Sequence, residues 1–181
     1  STYTKSTGTF TLGDSGVVTV QINFNSKSIE DIVLAGGSGT KRFTGNFTAE
    51  SFLQTSGIID PFGTTWSITG SFIIMPGSKW IAASMTGTSI TANTFFGSGT
   101  VLIPINWQSP GAWTFTVLTG DPTASSFKVS NSDASGGQEI CASDGSNEDD
   151  PLSLGANTNW RFGQAPGGGL TESHIGIAIN I

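Results

Sequence analysis

The chain has 181 residues, enough for a single all-β domain with a real core, and its 12 Phe and 5 Trp argue against disorder despite 25 glycines. Its formal charge of −6 sits wholly beyond residue 120, where Lys128 and Arg161 face eight acids. That acidic balance and the lack of any Lys/Arg stripe exclude nucleic acid as a partner, one cysteine excludes a disulfide-stapled scaffold, and the absence of an apolar run near about 18 residues excludes a transmembrane helix.

Period-two alternation of apolar and polar residues, the mark of strands with one buried face, runs through most of the chain. Val18, Val20, Ile22 and Phe24 share one side of the first clear strand. Two short helices are expected next: "SIEDIV" starting at Ser28 with Asp31 three positions on, and "TAESFLQTSG" between Thr48 as N-cap and Gly57 as C-cap. Strand alternation resumes at Trp66, Ile68, Phe72 and Ile74, then at Val101, Ile103, Ile105 and Trp107, and again at Trp113, Phe115 and Val117. Between these runs stand "LGDSG", "AGGSG", "DPFG", "MPGS", "SPGA" and "TGDP", with Gly or Pro where a strand must stop.

From Gly120 to Gly169 the chain becomes polar and Gly/Ser-rich, with short strands expected only at 127–129, 140–141 and 160–162. The last eight residues, "HIGIAINI", put Ile175, Ile177, Ile179 and Ile181 on one side. No repeat of fixed period is visible. The expected fold is therefore one all-β domain over 1–181, an antiparallel β-sandwich of jelly-roll type, with 120–169 as an elaborated acidic loop region.

Within that region "CASDGSNEDDPLSLG" offers Asp144, Asn147, Glu148, Asp149 and Asp150 as oxygen ligands for calcium. The spacing is not that of an EF-hand: counting from Asp144, the sixth position is Asp149 where glycine is required, and the twelfth is Gly155 where glutamate is required. A solvated turn is the simpler reading, and the expected cofactor is calcium or none. His174 and Cys141 are single, which leaves zinc without a ligand set.

Catalytic signatures are missing: there is no G-x-S-x-G elbow and no P-loop, so an enzyme is not expected. Trp80, Trp107, Trp113 and Trp160 border turns, where an indole can stack on a sugar or anchor an interface. Trp107 and Trp113 continue the core alternation. Trp160 lies instead amid Asn157, Asn159, Arg161 and Gln164, whose amides and guanidinium suit hydroxyl recognition, and these five are the expected ligand-binding residues.

The function expected from these features is a non-catalytic binding module of lectin or adhesin type, which recognises a glycan or another surface ligand through the C-terminal loops. A structural assembly subunit of a virion, tail fibre or surface layer is the first alternative, a membrane-active β-rich toxin the second, and a carboxylate-based glycosidase the last. Sheet edges carrying few charges favour a homo-oligomer. An extracellular or particle-surface setting suits such a surface better than the cytoplasm.

Overall fold

The computed structural model of the chain describes residues 9–13, 19–100, 102–142, 148–149 and 157–162. Its strands are β1 (Thr9–Leu12), β2 (Val20–Ile22), β3 (Ser28–Leu34), β4 (Thr40–Phe43), β5 (Phe47–Gln54), β6 (Gly57–Asp60), β7 (Thr65–Ile74) and β8 (Ser78–Trp80). After a single 3-10 turn at Ala82–Ser84 come β9 (Ser89–Ser98), β10 (Ile105–Val117), β11 (Thr123–Ser125), β12 (Phe127–Asp133), β13 (Ile140–Ala142), β14 (Glu148–Asp149) and β15 (Trp160–Phe162).

The antiparallel sandwich and jelly roll expected from the sequence do not form. Every pairing between these strands is parallel, and the chain winds into a β-solenoid of about six turns. Phe10, Ile32, Phe52, Phe72 and Phe95 occupy one register position on successive coils, at spacings of 22, 20, 20 and 23 residues. A long sheet runs β1-β3-β5-β7-β9-β10-β12-β14, and β2-β4-β6-β8 forms a shorter one. Parallel neighbours need a crossover between them. Here the rest of each coil serves as that crossover, so no helix is required.

Strand alternation reports a buried face and is silent about strand direction, which is why the sequence pattern fits either architecture. Turn motifs that would close hairpins in a sandwich are the corners of the coil. The "AGGSG" corner carries Gly36 and Gly37 at positive φ, and its carbonyls receive the buried ammonium of Lys41, whose Nζ donates to Gly36 O at 3.3 Å and Gly39 O at 3.2 Å.

Both expected helices are strands, β3 and β5. In each, two adjacent residues face outward at a bend in the sheet: Glu30 and Asp31 in β3, Glu50 and Ser51 in β5. The flanking buried residues are therefore three positions apart, Ile29 to Ile32 and Ala49 to Phe52, which imitates a helical period. In β7 the same bend holds Gly70, where a Cβ would lie 2.6 Å from Glu50 O on the neighbouring strand. The strand expected from Val101 begins only at Ile105, and Ile103 is 53% exposed in the preceding turn.

The described part of 120–169 is not a loop excursion. Its strands β11, β12, β13 and β15 stack on the same sheet. The Ile-rich segment at 174–181 lies outside the described residues.

Inward side chains fill the coil as stacked aromatics. Phe52 and Phe72 meet edge to face at 5.3 Å, Phe72 and Phe95 lie 5.7 Å apart, and Phe43 sits 4.7 Å from Trp66. Trp66, Trp107 and Trp113 are among the largest fully buried side chains. Trp80 joins this core and donates its Nε1 hydrogen to the buried Gln54 Oε1 at 2.9 Å.

Candidate functional site

Of the residues expected to bind ligand near the C-terminus, four are described. All four are engaged within the coil. Asn157 Nδ2 donates to Val129 O at 2.9 Å while its Oδ1 accepts the Ser132 N–H at 3.1 Å. Asn159, with φ of 62°, donates to Ala134 O at 3.0 Å and Gly137 O at 3.1 Å. Trp160 donates to Ser132 Oγ at 3.0 Å, lies 6.0 Å from Phe162 in a stacked pair, and packs against the core.

Arg161 Nη2 donates to Cys141 Sγ at 2.7 Å, and its Nε stands 3.4 Å from Glu139 Oε2 in ion-pair contact without hydrogen-bond geometry. The Cys141 bond, with the Glu139 carboxylate behind it, raises the guanidinium pKa further above its ordinary value. Arg161 thus ties two successive coils together through Cys141, with which it shares a register position. Gln164 lies outside the described residues.

The acidic stretch is described only at Glu148 and Asp149, which form β14 beside Lys128 and Val129 of β12. Asp144, Asn147 and Asp150 fall outside the described residues. Among the described residues no three His, Cys, Asp or Glu side chains come together as a metal site.

A different surface gathers polar groups in an ordered way. On the outer face of the long sheet, Ser28, Thr48, Ser67, Thr91 and Thr116 share one register position on β3, β5, β7, β9 and β10. Two residues earlier along the strands runs a second file, in which Thr65, Ser89 and Thr114 are in register and Asn46 abuts Thr65. The Asn46 Oδ1 accepts the Thr65 N–H at 2.8 Å. Thr114 Oγ1 donates to Ser89 Oγ at 2.8 Å, so hydroxyls link from coil to coil.

The cause lies in the alternation itself. Between the two files stand Phe47, Trp66, Ile90 and Phe115, all buried, and burying them forces their neighbours outward. Neighbours within a file, on adjacent strands, are about 4.8 Å apart, and the two files, two residues apart along each strand, about 6.7 Å. The result is a two-dimensional array of short polar side chains.

Short side chains on a bent sheet leave space above them. A depression of about 370 Å³ is lined by Ser28, Glu30, Thr48, Glu50 and Thr69, with Ile29, Ala49 and Gly70 forming its floor. A second, of about 160 Å³, is lined by Ser26, Asn46, Thr48, Thr65 and Ser67 together with Phe47. Thr48 borders both, so the two depressions adjoin, and together they are the trough across β3, β5 and β7. Glu30 and Glu50 stand side by side, flanked by the Ile29–Ala49 and Asp31–Ser51 pairs, and no basic residue lines the trough.

None of these residues announced itself in the sequence. The signal was present as Thr-x-Ser, Ser-x-Thr and Thr-x-Thr at 65–67, 89–91 and 114–116. Only parallel registration shows that they form one surface.

The fold places the chain among parallel β-solenoids, with the trough on the outer face of its long sheet. No protein-family model, no curated protein and no solved structure matches it. No helix among the described residues is long and apolar enough to cross a membrane.

Proposed function

We propose that this protein is a non-catalytic glycan-binding module of adhesin or fibre type, and that the trough across β3, β5 and β7 is its recognition surface. The observation that carries this reading is the trough's lining: hydroxyls, an amide and two carboxylates, held in register by the coil. A sugar presents hydroxyls that donate and accept, and Ser, Thr and Asn do both while Glu accepts. Aromatic residues of these strands point into the core, so each sugar gains hydrogen bonds and little stacking. Single contacts are then weak, and useful affinity comes from repetition, as suits an adhesive surface outside the cell or on a particle.

Thr48 lies at the centre of the trough, partly exposed, and Thr48→Trp fills it without entering the core. On a glycan array the parent chain binds a neutral glycan and the variant loses that signal while keeping its unfolding temperature. Equal binding by both contradicts the proposal.

A second reading, a structural assembly subunit, is favoured by one observation. On the other half of the same sheet Leu53, Ile73 and Phe96 are in register, Val33 precedes them, and Phe96 is 48% exposed. In this reading copies pack through that apolar file into a homo-oligomer. Light scattering then gives a multiple of 18.7 kDa that Phe96→Lys reduces to one chain. A single-chain mass for the parent removes this reading.

A further inference from the structure

The first polar file runs over five successive strands of the sheet, β3, β5, β7, β9 and β10, and the second accompanies it past the trough on β7, β9 and β10. This repeat constrains the ligand more than its hydrogen-bonding groups do. Each step along the solenoid axis is about 4.8 Å. A fully extended β-1,4-linked glycan chain advances by nearly the same distance per sugar, whereas α-1,4-linked chains coil and branched glycans do not repeat at all. We infer that the surface binds an extended, uncharged β-1,4-linked polysaccharide lying along the solenoid axis, with one sugar ring opposite each coil. The inference rests on the glycan-binding reading above and names its substrate class.

Three features of the surface bear on this assignment. First, on β7, β9 and β10 the files flank the ligand path on two sides, about 6.7 Å apart along the strands, so a ring there meets a polar group at both edges. Second, the path is uncharged on the β7, β9 and β10 coils, where the file positions are Thr65 and Ser67, Ser89 and Thr91, Thr114 and Thr116. The exposed Glu50 borders it at the β5 end, and its carboxylate disfavours uronic acids, sialic acids and sulfated sugars. Third, the hydroxyls are positioned before any ligand arrives, by the strand ladder and by bonds such as Thr114 Oγ1 to Ser89 Oγ, which lowers the ordering cost of each contact.

Titration calorimetry with β-1,4-linked oligomers of glucose and of N-acetylglucosamine, from one to seven sugars, tests this directly. Affinity is expected to rise at least tenfold between the disaccharide and the pentasaccharide and to level off beyond five, with α-1,4-linked glucose oligomers of equal length at least tenfold weaker. Thr116→Tyr, at the last position of the first file on β10, shortens the plateau by one sugar. Thr91→Tyr, one coil further in, shortens it by two, and unfolding curves confirm that both variants fold. The length series on the parent chain stands even where a variant does not fold. A short or branched glycan bound without length dependence, or α-linked chains bound equally well, overturns the inference and leaves glycan binding intact. No binding of any glycan overturns both.

Discussion

The carboxylate of Asp60 has no solvent exposure and accepts from Arg42 Nε at 2.6 Å, while the same guanidinium lies 4.9 Å from the Phe62 ring centre. Arg42 and Asp60 occupy one register position on β4 and β6, so the pair joins two coils of the short sheet. Asp60 Oδ1 has no partner, which leaves Arg42 as the main compensation for a buried charge. Arg42→Ala is expected to cost about 2–3 kcal/mol in denaturant unfolding, below the full cost of a deeply buried pair because the Arg42 side chain is 36% exposed. Loss of under about 0.5 kcal/mol would show that water replaces the guanidinium freely.

Asp133 gives a pH-dependent counterpart. The Ser135 hydroxyl and the Ser135 N–H, the latter at 2.9 Å, hold its carboxyl below the ordinary value of 3.8. With the folded pKa depressed, its contribution is complete above the unfolded value and is lost as pH falls through the folded one. Asp133→Asn should therefore flatten the acid limb of stability against pH below about 4 and leave it unchanged near neutrality. Unfolding midpoints across that range decide the matter, and parallel curves for both chains would contradict it.

Residue identity was a poor guide to role at the C-terminal coil. Asn157, Asn159 and Arg161 read as a hydroxyl-binding cluster, and in the structure their partners include Val129 O, Ala134 O and Cys141 Sγ. Those partners lie between 20 and 28 positions away in sequence. Side-chain chemistry alone cannot distinguish a ligand's hydroxyl from the carbonyl of the previous coil.

At the scale of elements, alternation located β7 and the second half of β10 well. Trp66, Ile68, Phe72 and Ile74 are all buried in β7, and Trp113, Phe115 and Val117 in β10. Strand direction was not legible, because a residue's inward or outward position is the same whichever way its neighbour runs. The helices misread at 28–33 and 48–57 trace to the bend, where two outward residues in succession change the apolar spacing from two to three.

The same bend makes a firm prediction at Gly70. A Cβ there would meet Glu50 O at 2.6 Å, a backbone atom that cannot turn aside. Gly70→Ala should cost about 1–3 kcal/mol by forcing β5 and β7 apart, and it should also weaken glycan binding, since Gly70 forms part of the trough floor. An unchanged unfolding midpoint would show that the strands part without strain.

For the whole molecule, the solenoid explains why no repeat was visible. Coils of 19 to 25 residues differ in the length of their corners and by the irregularity at the bend of β7, so equivalent positions drift out of any fixed period. It also explains how a surface can exist without a sequence motif. Each coil contributes two or three polar residues, and parallel stacking alone turns them into files. In such an architecture each coil contacts chiefly its neighbours, so a ligand spanning several coils reads the stacking itself.

Glycan binding along the files is tested most directly by a backbone amide chemical-shift map of the isotopically labelled protein, titrated with a neutral β-1,4-linked pentasaccharide. Perturbations are expected at the outward residues of β5, β7 and β9, centred on Thr48, Ser67 and Thr91, with smaller changes at Glu30 and Glu50. Perturbations confined to residues 157–162, or none at saturating sugar, would contradict such binding.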